Sequence, residues 1–170
     1  LTALLNEYLT EMSAIALAHG ATVDKFIGDA ILGFFGDPET KGVEEDARAC
    51  VRMAVAMQQR LGQLNAEWRR RGIEQPFRSR IGINTDTLLV GNIGSDELLD
   101  YTAIGDGMNL AARLEAANKN YDTLILMGQN TYEAVKKDVV AREVDTVKVA
   151  GKTIATRIYE LVGLVGDVPA

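Results

Sequence analysis

Hydrophobic positions recur at three- and four-residue spacing from the first residues of the chain: Leu4, Leu5, Tyr8, Leu9, Met12, Ile15 and Ala16. That spacing predicts an amphipathic helix over residues 1–19, stopped by Gly20. Two short apolar runs follow, residues 22–27 and 30–35, separated by Gly28-Asp29; they predict a β-hairpin. Gly36-Asp37-Pro38 then breaks the chain. A second helical stripe comprises Ala47, Cys50, Val51, Ala54, Met57, Leu61, Leu64 and Trp68. It predicts a long helix over residues 44–71, ended by Gly72.

The second half alternates more quickly. Residues 77–84 and 87–93 are expected to form a second strand pair, with 94–100 a polar loop. A helix over 107–118, a strand over 123–127, a short helix near 131–137 and two late strands over 141–149 and 153–161 complete the pattern. This order belongs to an α+β sandwich, with helices covering a largely antiparallel sheet. A strand placed before Leu1 would make the first part β-α-β-β-α-β, the ferredoxin-like arrangement, with that strand at its centre. The chain opens at Leu1 without Met and without a visible N-cap, so it is expected to be part of a longer one. Residues 1–161 are read as one N-terminally incomplete domain and 162–170 as a tail.

Composition narrows what such a domain can do. At 170 residues and 18.4 kDa the chain has the size of a single domain, and 47% apolar with 25% charged residues suits a filled core. A net charge of −6 and a pI near 4.9 argue against a nucleic-acid surface but leave room for a local basic pocket. No apolar run approaches the roughly 18 residues of a membrane span. One Cys and one His leave no internal disulfide and make a Cys/His zinc site improbable.

Two segments could carry chemistry. At the hairpin tip, in the segment Asp24-Lys25-Phe26-Ile27-Gly28-Asp29-Ala30, glycine allows a tight turn. It leaves an exposed carboxylate able to bind a hard divalent cation, or simply to satisfy turn amides. In the segment from Asp100 to Glu115, Asn109 and Arg113 are four apart and share a helix face near its N-terminal turns, where phosphate is favoured. An amide orienting a sugar oxygen beside a phosphate-binding guanidinium is sound chemistry. An exposed polar stripe opposite Leu110, Ala111 and Leu114 is the plainer alternative.

Taken in order, five segments resemble the class III adenylyl/guanylyl cyclase catalytic domain. They are Lys25-Phe26-Ile27-Gly28-Asp29-Ala30, Phe34-Phe35-Gly36-Asp37-Pro38, Arg80-Ile81-Gly82-Ile83-Asn84-Thr85, Val90-Gly91-Asn92-Ile93-Gly94-Ser95, and Asp100-Tyr101-Thr102 through Asn109 to Arg113. The resemblance runs from Leu4 to Leu161 and is greatest to the bacterial adenylyl cyclases. The fold it implies is the ferredoxin-like (βαββαβ) nucleotidyl cyclase sandwich with extra C-terminal strands and helices, its first strand missing from this chain. The activity it implies is conversion of ATP to 3′,5′-cyclic AMP and pyrophosphate at sites shared across a homodimer. Two Mg²⁺ or Mn²⁺ ions per site would be held by two Asp residues, and Asp29 falls on the second of those positions.

Lys25 falls on the purine-reading position and Thr102 on its partner, the adenine-type pairing. Lys only donates hydrogen bonds, so it suits adenine N1 and not the N1–H of guanine. Asn109 falls on the ribose-orienting position and Arg113 on the position that stabilises charge developing at the α-phosphate. Asp29 would come from one subunit, and Lys25, Thr102, Asn109 and Arg113 from the other.

The chain departs from the family in places. The first metal-binding Asp, in a Phe-x-Asp-Ile/Val-x-Gly-Phe-Thr motif, has no counterpart here. Ala150 replaces the phosphate-contacting Lys of a Lys-Gly-Lys segment, leaving Lys152 either to reach the triphosphate or to sit in a solvated turn. Asp86 and Asp122 stand at turns where Gly is usual. Two alternatives stay open: a guanylyl cyclase, and a catalytically silent dimerisation or regulatory module. The expected partners are ATP, a second copy and regulatory domains on the same polypeptide, with no nucleic acid, in the cytoplasm. His19, Cys50, Trp68, the acidic helix start at residues 44–46 and the basic run 69–71 are read as structural.

Overall fold

The computed structural model describes residues 1–148 and 154–168. The elements are α1 (Thr2–Ala18), β1 (Thr22–Ile27), β2 (Ala30–Phe34), α2 (Val43–Arg70), β3 (Ile81–Ile83), β4 (Leu89–Ser95), β5 (Leu98–Ile104), α3 (Asp106–Tyr121), β6 (Ile125–Gly128), α4 (Gln129–Val135), β7 (Val139–Lys148) and β8 (Ala155–Leu164). The expected α+β sandwich is present. No helix among the described residues is long and apolar enough to cross a membrane.

The central sheet has the order β3-β6-β8-β7, parallel between β3 and β6 and antiparallel elsewhere. Side chains alternate across it, as a period of two requires. Ile125, Met127 and Tyr159 face a core with Ala47, Val51 and Ala54 of α2 and Val135 of α4. Leu126 and Ile158 face the other way, onto Leu114 of α3. A third cluster joins α1 to α2 through Met12, Leu61, Leu64 and Trp68, with Ile31 of β2 against it. Two further sheets, β1-β2 and β4-β5, are isolated hairpins. Among the described residues, β2 and β3 each keep one edge without a ladder partner.

The residues read as structural behave so. His19 Nδ1 lies 2.8 Å from the Ile15 carbonyl, and Trp68 is buried with its ring 4.8 Å from Phe77. Cys50 packs against the α2 core, where burial pushes its thiol up to about 12. Glu44, Glu45 and Asp46 open α2 and Arg69 and Arg70 close it, in keeping with its dipole.

The second strand pair is a correction. Residues 77–84 do not pair with 87–93; only Ile81–Ile83 is strand, and it pairs in parallel with β6. Side chains of α2 hold the preceding segment instead of a ladder. Asn65 accepts from Phe77 N–H and donates to its carbonyl, both at 2.9 Å, and Gln58 donates to the Ser79 carbonyl at 2.7 Å. The partner of β4 is β5, which runs through the stretch expected to be a polar loop. The intervening turn, Asp96-Glu97, lacks the Gly or Asn that marks a two-residue hairpin. At the other end, β8 continues to Leu164, so a boundary at Leu161 falls inside it, where Gly163 pairs with Val140.

Helix α3 seats on β3 through a glycine. A Cβ at Gly82 would come within 2.2 Å of the Ala111 carbonyl oxygen and 2.4 Å of the Glu115 nitrogen, both rigid backbone. Asn118, fully buried, donates to the Ile81 and Leu114 carbonyls and accepts from Thr123 Oγ1, pinning the other end of the same interface. Asp122 then ends the helix at φ +52°, a left-handed position that Asp tolerates better than most residues. Gly82→Ala is expected to cost about 2–3 kcal/mol by forcing α3 off the sheet. Denaturant unfolding of this variant should show a lowered midpoint, whereas an unchanged midpoint would mean that the helix does not seat on Gly82.

Candidate active site

At the tip of the first hairpin Gly28 takes φ +61°, closing the turn and leaving Asp29 exposed. Its charge reaches Tyr8 of α1. Burial raises the Tyr8 phenol above its ordinary range, and the Asp29 carboxylate raises it further against a hydrogen bond to Ser79. Asp29 offers the hard oxygen a divalent cation prefers. It is a single ligand, however: no group of three His, Cys, Asp or Glu residues able to hold a metal occurs among the described residues. On their own these residues do not close a metal site.

Lys25 lies on β1, exposed, and Thr102 on β5, buried. The two are 77 positions apart in sequence, and one side chain joins them. Asp24 Oδ2 accepts from Thr102 Oγ1 at 2.5 Å and from the Ala103 backbone N–H at 3.3 Å. The other oxygen, Oδ1, lies 3.7 Å from Lys25 Nζ. The Asp24 side chain is 1% exposed, against 43% for Lys25. Asp24 is also the bulged residue of β1: Val23 pairs with Gly33 and Lys25 with Leu32, leaving Asp24 without a cross-strand partner. A bulge adds a residue and re-aims its side chain, here toward β5. Asp24 had no role in the sequence reading. The available signal was an acidic residue beside a lysine within a short strand.

Directly after β5, Gly105 at φ +147° turns the chain into α3. Asn84 Nδ2 donates to the Gly107 carbonyl at 3.1 Å, and a Cβ on Gly107 would lie 2.6 Å from that of Asp86. The start of α3 is therefore clamped from the loop after β3, where Asp86 also accepts from the Thr87 N–H at 2.8 Å. Asn109 and Arg113 are exposed one turn apart on this helix. Arg113 Nη2 donates to the Lys148 carbonyl at 3.3 Å, at the end of β7. Ala150 and Lys152 lie outside the described residues. Within the chain, then, Lys25 and Thr102 are brought together, Asn109 and Arg113 share a helix face, and Asp29 stands at a separate hairpin tip.

Comparison with known proteins decides the family. The model of the adenylate and guanylate cyclase catalytic domain matches residues 1–163. The chain belongs to that family. The crystal structure of the adenylyl cyclase CyaB from P. aeruginosa is similar at 43% identity and a TM-score of 0.89, over 99% of this chain and 85% of that one. The crystal structure of the guanylyl cyclase Cya2 is similar at 34% identity and a TM-score of 0.84, over 96% and 80%. Adenylate cyclase 1 of Rhizobium meliloti is 39% identical over 165 residues, 96% of this chain but 24% of that protein's length. Cyclase domains for both purines thus share this fold, so the backbone alone does not choose the base. Catalytic domains of this family are metal-dependent, and a metal site here needs donors beyond Asp29.

The clamp on α3 can be tested apart from catalysis. Asn84→Ala removes the donor to the Gly107 carbonyl and should cost about 1 kcal/mol. Amide hydrogen exchange should quicken in the first turn of α3 and stay unchanged in the β7–β8 ladder. Protection unchanged at Gly107 to Asn109 would show that Asn84 does not hold the turn.

Proposed function

We propose that this chain is the catalytic domain of an adenylyl cyclase, which converts ATP to 3′,5′-cyclic AMP and pyrophosphate at sites built between two copies. The observation that carries this reading is the Lys25–Asp24–Thr102 assembly, a purine reader placed just upstream of the helix bearing Asn109 and Arg113. The similarity to CyaB and to the Rhizobium enzyme supports it. Because the chain spans only a quarter of the Rhizobium enzyme, the activity of the whole protein belongs to this proposal.

The chemistry is an in-line displacement. The ribose 3′-oxygen bonds to the α-phosphorus while the bond from that phosphorus to the bridging oxygen of pyrophosphate breaks, and the 3′-hydroxyl proton is released. Asn109 would hold the ribose so that this oxygen faces the phosphorus, which converts orientation into rate. Arg113 would meet the charge that develops on the phosphoryl oxygens. Two bound divalent ions would supply Lewis acidity at the 3′-hydroxyl and neutralise the triphosphate. Asp29 would be one ligand, and a carboxylate on an added strand between the open edges of β2 and β3 would be the other.

Assembly follows from what the chain exposes. Phe26 and Ile27 on β1, and Leu98, Leu99, Tyr101 and Ile104 on β5, are all more than 40% exposed. A run of large apolar side chains on two hairpins flanking the purine reader is the surface expected of a face that pairs with a second copy. Asp29 of one copy would then complete the site whose other residues come from its partner. ATP as substrate places the domain in the cytoplasm.

In the full-length protein with Mn²⁺ or Mg²⁺, kcat/KM for ATP is expected to exceed that for GTP. Asp29→Ala should remove metal-dependent cyclic AMP formation while leaving thermal unfolding and dimer mass unchanged. Arg113→Ala should lower kcat by about 10²–10³-fold with little change in KM. Preference for GTP would replace the reading with a guanylyl cyclase. Absence of cyclic nucleotide from either substrate would leave a silent module.

A further inference from the structure

We propose that Asp24 is the positioning residue that gives the site its choice of purine, by fixing Thr102 as a hydrogen-bond acceptor and holding Lys25 beside it as a donor. The inference deepens the adenylyl cyclase reading and rests on it.

A threonine hydroxyl is ambivalent: it has one proton to give and lone pairs to receive. Left free, Thr102 could donate to the O6 of guanine as readily as accept from the N6 amino group of adenine. Asp24 removes that freedom. Its Oδ2 already accepts the Ala103 backbone N–H, so it faces Thr102 as an acceptor, and the single hydroxyl proton of Thr102 points into the protein. What remains for a ligand is a lone pair. Lys25 carries three N–H donors and no acceptor, and only one of them is drawn toward Asp24 Oδ1. The pair therefore offers a base one donor and one acceptor. Adenine presents the complement, N1 as acceptor and N6–H₂ as donor, whereas guanine presents N1–H and O6, wrong at both places.

The geometry around Asp24 is built for this. Its side chain is almost fully buried, and an unpaired carboxylate there would be costly, so Thr102, Ala103 and Lys25 are its required partners. The bulge that leaves Asp24 out of the β1–β2 ladder aims it at β5. No hydrogen bond joins Lys25 to Thr102; each reaches Asp24.

The test uses base analogues on the full-length protein. Purine riboside 5′-triphosphate lacks the 6-amino group, so the ratio of kcat/KM for ATP to that for this analogue reads whether Thr102 accepts. Asp24→Val frees the hydroxyl and should lower this ratio, and the ratio of ATP to GTP, about five- to tenfold. Thr102→Val should lower the first ratio equally, and adding Asp24→Val to it should change the ratio no further. Asp24→Asn keeps the shape and an amide oxygen for Thr102 and Ala103. It should preserve the ATP-to-analogue ratio while raising KM for ATP several-fold, because Lys25 loses its carboxylate. A merely structural role would lower activity on all triphosphates alike and leave the ratios at wild-type values. Wild-type ratios in a folded Asp24→Val protein, with wild type still preferring ATP, would overturn the proposal and spare the adenylyl cyclase reading. A wild-type preference for GTP would overturn both.

Discussion

A buried carboxylate cannot be left without partners, and in this domain that constraint joins parts that no ladder joins. The hairpins β1-β2 and β4-β5 belong to separate sheets. Asp24 crosses between them to the Thr102 hydroxyl and the Ala103 amide, and Phe34 packs its ring 6.4 Å from that of Tyr101 beside the crossing. Moving one hairpin against the other would strand a charge from which water is excluded, a cost of several kcal/mol. The placement of Asp24 against Thr102 is therefore fixed from the interior, with Lys25 beside it and substantially exposed.

The other half of the candidate site is located by close approach. Helix α3 can lie where it does because Gly82 and Gly107 have no side chains, and Asn118 and Asn84 tie down its two ends. Since α3 begins two residues after β5, the position of Thr102 and that of Asn109 are fixed through a single turn at Gly105. Thr102 and the exposed residues of α3 are thus referenced to one strand, β5, through that turn.

How much of this could be read beforehand follows from the range of the forces involved. The long helix and the first hairpin were legible because a 28-residue apolar stripe and a Gly-Asp turn are local signals. The site motifs were legible as a resemblance; Lys25 lies on β1, Thr102 on β5, and Asn109 and Arg113 on α3. Strand pairing was not legible at β3, because a three-residue strand has no periodicity, and its flank is satisfied by Asn65 and Gln58 from a helix far away in sequence. The strand β5 was hidden behind a turn without glycine. Asp24 was hidden for a related reason: a bulge inverts the inside–outside alternation at one residue, so an inward acid looks like an outward one.

Electrostatics shows why an acidic domain can still be suited to a polyanion. Several of its arginines are held in internal pairs: Arg48 with Asp138, Arg60 with Glu11, Arg71 with Glu7, Arg142 with Glu160 and Arg157 with Glu143. Arg113 has no acidic partner among the described residues and is bound only to a backbone carbonyl, so its charge is not cancelled and it can leave that contact for a stronger one. Asp24 and Thr102, by contrast, are joined before any ligand arrives. On the proposed reading the two tasks are divided physically. The base is recognised by groups whose orientation is fixed within one copy of the chain, at little ordering cost on binding. The phosphates are met by a long, exposed guanidinium and by a carboxylate from the second copy, so reaction waits on assembly while recognition does not.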